Sequence, residues 1–354
     1  MRIAVDANVL EAAWGGIPKH VTRIVEQLVA AGDEVDLLVN LGAWRSPVSG
    51  ARGVPIRLKG REPWRELRLP LWALRHRPDV LWAPEGLLPR VPTVPGVVTV
   101  HDLAPVLFPA SKPPAVEHAF RTSMPRSARA ASRVACVSRA TAADVTRLWG
   151  IADERIRIVP NGVDERFTPG DADAARAEVA RRHGIEAPYV LHVGSLEPRK
   201  GLDPLIEAAA RSDWRLVLAG SPGFEGERIE RAAREAGAAL LRGVGDDDLV
   251  DLYRGAHAVA VPALYEGFGI VPLEAMACGT PVAVATEAGA LEEVVGDAAV
   301  LVAERSAAAW VAAVAEAARR REELAERGHA RATGYGWAAA GTAMRGVLSE
   351  AASA

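Results

Sequence analysis

The stretch Ala258-Val259-Ala260-Val261-Pro262-Ala263-Leu264-Tyr265-Glu266-Gly267-Phe268-Gly269-Ile270-Val271-Pro272-Leu273-Glu274-Ala275-Met276-Ala277-Cys278-Gly279-Thr280-Pro281-Val282-Ala283-Val284-Ala285 reads as a buried strand, a glycine turn, a helix and a second buried strand. Its two ends are short apolar runs without polar alternation, as in strands of a parallel sheet covered on both faces. Glu266 falls in the loop at the carboxyl end of the first strand. Gly267 and Gly269 permit close backbone approach, and a helix begins near Ile270. The amides of a helix's first turn lack intrahelical partners and point outward, which suits a diphosphate. Glu274 lies about one turn into that helix. Two carboxylates beside a polyanion are better suited to accept hydrogen bonds from sugar or ribose hydroxyls than to hold phosphate. The plainer alternative is a capped helix after a glycine turn, with Glu274 solvated.

The same alternation runs outward in both directions. Residues 3–5, 35–39, 97–100, 134–137 and 156–159 read as strands of a first unit, and 189–193, 216–219, 258–261, 282–285 and 300–302 as strands of a second. Amphipathic stretches such as 21–31, 140–149, 202–210 and 229–236 lie between them. This pattern predicts an α/β protein with parallel sheets carrying helices on both faces. Turn formers cluster from Pro160-Asn161-Gly162-Val163-Asp164 to Pro169-Gly170-Asp171, and a fresh helical pattern begins at Ala172. We therefore expect an N-terminal Rossmann-like domain over 1–168 and a C-terminal one over 169–336, facing across a cleft where the strands' carboxyl ends bind ligands. The final helical segment, 337–354, is expected to pack back on the first domain.

Length and composition bound the function. A chain of 354 residues supports two cores, and a net charge of −3 gives no global field for nucleic acid. Cys136 and Cys278 have no metal-ligand spacing and read as small buried hydrophobes; without a disulfide framework, a reducing cytosol fits. The chain runs straight into a strand with no apolar leader, and no apolar run approaches the ~20 residues of a membrane span, so a cytoplasmic protein is expected. Around 61–77, Trp64, Leu67, Leu71 and Leu74 fall at helical spacing beside Arg61, Arg65, Arg68 and Arg75. The preferred reading is a covering helix with this apolar face on the first sheet, ended or kinked at Pro70. A basic amphipathic helix is the alternative, and it leaves room for weak peripheral contact with anionic lipid.

Three other places carry chemistry. Val193-Gly194-Ser195-Leu196-Glu197-Pro198-Arg199-Lys200-Gly201 follows the first strand of the second half. Two adjacent cations in a glycine-bounded loop can neutralise a pyrophosphate whose charge grows as a glycosidic bond breaks; a solvated basic turn is the alternative. His101-Asp102-Leu103 leaves a buried strand of the first half at its ligand edge, although a strand-end histidine is more often structural. Gly15-Gly16-Ile17-Pro18 shapes the first strand–helix turn, with Pro18 placed as first helical residue. Ser138 reads as a helix N-cap.

The chain resembles the retaining glycosyltransferases of GT-B fold in the large family 4, whose members include glycogen-synthase-like and mannosyltransferase-like enzymes. Glu266 and Glu274 match that family's EX7E motif, and Ala-Met-Ala-Cys-Gly-Thr-Pro-Val matches its continuation. The resemblance runs from about Asp6 to the last helix, and it implies that the domain over 1–168 is the acceptor domain and the domain over 169–336 the nucleotide-sugar donor domain. It implies that Glu266 contacts the donor hexose and Glu274 the ribose. Backbone at Gly267, Phe268, Gly269 and Ile270 would contact hexose and phosphates. Lys200 matches the phosphate-binding lysine; where the commonest pattern has arginine after the first glycine this chain has Ser195, and Arg199 would supply the second cation. His101 would lie against the donor sugar, its ring oriented by Asp102, and Gly16 would let backbone approach the diphosphate and acceptor. Asn161 and Gly162 match a structural inter-domain segment.

The expected activity is transfer of a hexose from a nucleoside diphosphate sugar, with retention, by attack from the leaving-group face. No cofactor is expected, and no metal, since no Asp-x-Asp motif sits where the donor would need one. The motif combination favours GDP-mannose over UDP- or dTDP-hexoses. The acceptor, saccharide, lipid-linked or natural product, is not legible in the loops that shape it. A sugar-nucleotide epimerase of the same fold and a non-catalytic sugar-nucleotide-binding partner protein are the rival readings.

Overall fold

The computed structural model describes residues 1–11, 15–109, 112–186 and 188–353. The chain divides into two compact units. Unit 1 comprises Met1–Val106, Pro114–Gly162 and Trp337–Ala354; unit 2 comprises Leu107–Pro113 and Val163–Gly336.

Unit 1 is built on strands β1 (Arg2–Asp6), β2 (Glu34–Val39), β3 (Arg52–Pro55), β4 (Val80–Ala83), β5 (Gly96–Val100), β6 (Arg133–Cys136) and β7 (Ile156–Ile158). They pair in parallel in the order β3-β2-β1-β4-β5-β6-β7. Unit 2 repeats the plan with β8 (Tyr189–Val193), β9 (Arg215–Ala219), β10 (Ala239–Leu241), β11 (Ala258–Val261), β12 (Val282–Ala285) and β13 (Val300–Val302), in the order β10-β9-β8-β11-β12-β13. Each sheet reverses its winding direction once, between β1 and β4 and between β8 and β11. Such a reversal splays the flanking loops apart at the carboxyl edge and opens a crevice for ligands. These are two Rossmann-like parallel-sheet domains.

Three strands go beyond the sequence pattern. β3 (Arg-Gly-Val-Pro) is at most half-buried and carries no apolar run, β10 is apolar but only three residues long, and β4 hides between Pro78-Asp79 and Pro84.

The last helix, Trp337–Ala352, packs on the helix Gly16–Ala30, joining Trp337, Ala340, Met344 and Leu348 to Val21, Ile24, Val25 and Leu28 in one core. A charged clasp reinforces it: Arg345 donates to buried Asp33 at 2.7 and 3.1 Å, and the chain's amino terminus donates to the same carboxylate at 2.8 Å. Burial alone would raise the pKa of Asp33, but these donors outweigh it and hold the carboxyl below its ordinary range.

The segment after β3 corrects an expectation. A π turn, Trp64–Arg68, leads without a break into the helix Leu69–His76, and Pro70, which has no amide to donate, follows directly on that widened turn. The buried face is Trp64, Leu69, Trp72 and Ala73, whereas Leu67, Leu71 and Leu74 are 58 %, 60 % and 56 % exposed. The helical periodicity holds, but the face assigned to the sheet does not. The extra residue of the π turn rotates the succeeding residues by roughly 100°, so the leucines share a face that points away from the sheet. Ser138 caps the helix Arg139–Trp149, accepting from the Thr141 amide at 3.0 Å. Among the described residues, no helix is long and apolar enough to cross a membrane.

Candidate functional site

The two unit 2 stretches singled out in the sequence leave neighbouring strands. β8 continues into Gly194–Gly201 and β11 into Tyr265–Gly269, and these strands flank the point where the sheet reverses. Topology therefore brings them together. Lys200 Nζ donates to Glu266 Oε1 at 2.6 Å, and Arg199 Nη1 reaches Glu266 Oε2 at 3.4 Å. Burial would raise the pKa of Glu266, but the charges of Lys200 and Arg199 outweigh it, so the carboxylate stays ionised below its usual range. The backbone of Glu266 is pinned as well: its amide donates to Ala288 O at 3.1 Å and its carbonyl accepts from Ala290 N at 2.9 Å.

Arg199 turns inward. It is 8 % exposed, and its Nη1 donates to the Tyr265 carbonyl at 2.6 Å while Nη2 stands 3.7 Å from Glu197. These contacts clamp the Tyr265–Glu266 loop. Glu197, itself buried, also accepts from Lys112 Nζ at 2.6 Å and from the Ser195 hydroxyl. Burial pushes this carboxyl up, and those donors more than reverse it. Three cations and two carboxylates thus interlock, leaving one net positive charge at the crevice.

His192 lies beneath them in β8, between Leu191 and Val193. Its Nδ1 donates to the Ala260 carbonyl at 3.0 Å, so Nε2 carries the lone pair, and that atom is buried without a hydrogen-bond partner. Burial lowers its pKa to about 4. Gly194, at φ +140°, opens its bare α-carbon into this space: a β-carbon there would stand 3.5 Å from Lys200 Nζ and 3.7 Å from His192 Nε2. Glycine keeps the cradle empty beside a lysine.

Gly269 caps the helix Ile270–Ala277, whose first-turn amides face away from the helix body. Phe268 is buried edge-on against Tyr335, with ring centroids 5.8 Å apart. Glu274 is 4 % exposed and accepts from the Tyr253 hydroxyl at 3.0 Å. It is therefore not a solvated helix residue. Burial, and then Glu274, push the Tyr253 pKa far up, so the phenol remains a donor.

Unit 1 presents different chemistry at its own edge. His101, just beyond β5, sets its Nε2 against the Pro84 carbonyl at 3.0 Å, which makes Nε2 the protonated nitrogen and Nδ1 an acceptor. It meets His20 edge to face, with centroids 4.9 Å apart and planes at 88°. His20 Nδ1 pairs with Asn161 Oδ1 at 2.7 Å. Burial lowers the pKa of His20 to about 4; burial and then His20 lower that of His101 to about 3, so both rings are neutral at ordinary pH. Asp102 accepts from the Ala104 amide at 3.0 Å. Gly16 opens the first helix, two residues ahead of Pro18, and a β-carbon on it would meet nothing within 4 Å. The fold itself does not require glycine there; Gly15, at φ +136°, is the residue whose conformation does. Residues 12–14 of this loop lie outside the described residues.

Sequence reasoning missed His192, Lys112, Tyr253 and His20. A histidine interrupting an apolar strand and a rare lysine were visible signals. Tyr253 and His20, on helices, gave none.

Comparison with known proteins gives the family of the chain. The model described as "Glycosyltransferase Family 4" matches residues 14–167, and that described as "Glycosyl transferases group 1" matches residues 176–333. A D-inositol 3-phosphate glycosyltransferase of Frankia alni is 32 % identical, covering 94 % of this chain and 93 % of its own. The O-antigen chain mannosyltransferase B of Escherichia coli is 31 % identical over 64 % of this chain and 62 % of its own. In fold, the chain is similar to Anabaena Alr3699/HepE, solved in complex with UDP-glucose, with a TM-score of 0.76 and 18 % identity over 98 % of each chain. The chain belongs to glycosyltransferase family 4, with the two-domain GT-B fold, and is a glycosyltransferase.

Proposed function

We propose that the enzyme transfers a hexose from a nucleoside diphosphate sugar to an acceptor hydroxyl with retention of anomeric configuration and without a metal ion. The observation that carries this reading is the Lys200–Glu266–Arg199 cluster at the reversal point of the unit 2 sheet, beside a helix start. Lys200 and the first-turn amides of the helix Ile270–Ala277 would hold the diphosphate and stabilise it as it leaves. Glu266 would exchange its bond to Lys200 for hydroxyls of the hexose, while Arg199 keeps the loop in place. Glu274 would hold the ribose hydroxyls, its carboxylate already oriented by Tyr253. A neutral His101 can accept a hydrogen bond from a sugar hydroxyl through Nδ1 but cannot serve as the acid. The departing phosphate oxygen would then take the acceptor proton. The exposed leucines 67, 71 and 74, flanked by Arg68 and Arg75, support a weak contact with anionic lipid as part of the same proposal.

GDP-mannose is the first donor to test, since one relative is named a mannosyltransferase; UDP-glucose is the second, since it is bound in a protein of similar fold. The experiment is a thermal-shift panel of nucleotide sugars, followed by donor hydrolysis with the best binder. A ligand that binds only the folded state raises the melting temperature. A panel in which no nucleotide sugar stabilises the protein overturns the reading, and turnover of UDP-sugars to an epimer without acceptor replaces it with the epimerase.

A further inference from the structure

Lys200 is anchored firmly along its backbone and held by a single bond at its tip. Its amide donates to the Glu197 carbonyl at 2.9 Å, and the carbonyl of the preceding Arg199 accepts from the Leu264 amide at 2.8 Å. Gly201 follows at φ +60°, where a β-carbon would stand 2.3 Å from the Pro262 carbonyl oxygen. The ammonium carries three N–H groups, and the structure gives it one partner, Glu266 Oε1 at 2.6 Å. On the proposed function, the donor hexose draws that carboxylate away. Lys200 then loses its partner just as its charge is needed at the diphosphate.

Across Gly194 from that tip lies a buried acceptor without a donor. His192 is 1 % exposed, its Nδ1 is committed to the Ala260 carbonyl, and the lone pair on Nε2 meets no hydrogen-bond partner. Burial lowers its pKa to about 4, so the ring is a neutral acceptor at ordinary pH; Lys200 and Glu266 are the charged groups that act on it. A β-carbon on Gly194 would stand 3.5 Å from Lys200 Nζ and 3.7 Å from His192 Nε2, so both nitrogens face one point. The space between them is held by backbone. The Gly194 amide donates to the Ala219 carbonyl at 3.0 Å, and Gly220 passes so close that a β-carbon on it would stand 1.9 Å from the Gly194 carbonyl oxygen. A buried nitrogen without a partner is costly, and an apolar side chain would avoid that cost. Its place beside an ammonium with spare N–H groups gives it a use.

We propose that His192 is a positioning residue for Lys200: its Nε2 accepts a hydrogen bond from the ammonium when Glu266 turns to the donor sugar, which keeps the charge aimed at the diphosphate. The lysine, far more basic than the imidazole, keeps its proton. This rests on the donor reading above and adds a support that acts only when the hexose is present.

The test is calorimetric titration of GDP-mannose and UDP-glucose, and of GDP and UDP, into the native chain and its variants. His192→Asn can keep the bond to Ala260 while removing the acceptor at Nε2, His192→Phe fills the ring's volume without an acceptor, and His192→Gln returns an amide oxygen near the position of Nε2. For the tighter-binding nucleotide sugar, His192→Asn and His192→Phe should each weaken binding by about tenfold, the size of one hydrogen bond to a charged group. His192→Gln should recover part of that loss. The matching nucleoside diphosphate, which has no hexose to draw Glu266 away, should lose less than about threefold, and in a Lys200→Ala background His192→Asn should cost less than about twofold. Native affinity in both His192→Asn and His192→Phe, equal losses for nucleotide sugar and nucleoside diphosphate, no recovery in His192→Gln, or the same loss with and without Lys200 overturns the proposal. The two readings fail separately. Native affinity for nucleotide sugar in Lys200→Ala would sink the donor reading itself, whereas weakened binding in Lys200→Ala without coupling to His192 would sink this inference alone.

Discussion

At the edge of the unit 1 sheet two imidazoles meet ring to ring, both neutral, one bonded to a carbonyl and the other to an amide. At the corresponding edge of unit 2 three cations and two carboxylates interlock around Glu266 and Glu197. The strand order is the same over six strands, so topology places a crevice in each unit and the residues after the strands decide what it can bind. Fixed charge stabilises a leaving diphosphate only where it is already positioned. A neutral histidine pair can orient a sugar hydroxyl without drawing the polyanion away.

Substitutions on the two edges should separate their roles. Glu266→Gln, which removes the carboxylate on which Lys200 and Arg199 converge, is expected to lower kcat/KM by about 10²- to 10³-fold, whereas His101→Ala should cost roughly tenfold; initial rates with the preferred donor decide between them. Equal losses would mean the charged edge has no special weight. Tyr253→Phe leaves buried Glu274 without its phenolic donor. It should destabilise the protein by about 1–3 kcal/mol and raise the donor KM more than it lowers kcat, as read by denaturant titration and kinetics.

A third change concerns pH. His20 has its pKa lowered to about 4 in the folded chain, so between the ordinary value of 6.5 and about 4 the unfolded chain binds the proton and the folded one does not. Stability must then fall as pH drops through that window. His20→Gln, which can still bond to Asn161, should flatten the slope by up to about 1.4 kcal/mol per pH unit. Glu266, held below its usual range, contributes stability that is lost only at lower pH, as the carboxylate finally protonates. An unchanged slope in His20→Gln would show that the ring is not held neutral. The smallest expected effect is that of a chelator: on the proposal that Lys200 and helix amides supply the charge, EDTA should leave the rate unchanged, and a rate restored only by added divalent metal would contradict it.

Much of this was legible where buried strands are long and turns are marked by glycine. The strand ending at Val261 and the helix after Gly269 could be read directly, because a fully covered parallel strand needs an unbroken apolar run and a sharp exit needs glycine. The edge strand β3 escaped because its exposed ends impose no apolar pattern, and β10 because three apolar residues are too few to mark a strand. Leu67, Leu71 and Leu74 misled for a different reason: a π turn changes helical phase without changing composition. At the site, the residues named in the sequence were those in or next to glycine turns, together with Glu274 one turn into a helix and His101 at a strand end. Their supports, His192 from within a strand and Tyr253 from a helix twenty-one residues before Glu274, depend on which elements pack together, and no local spacing encodes that.

Whether the nucleoside diphosphate rests against Lys200 in unit 2 can be decided by titrating the best-binding nucleotide sugar into the native chain and into Lys200→Ala by calorimetry. Loss of one charge-assisted contact to phosphate should weaken binding by about tenfold to a hundredfold while the melting temperature of the ligand-free protein changes little. Identical dissociation constants for the two proteins would mean that the diphosphate lies elsewhere.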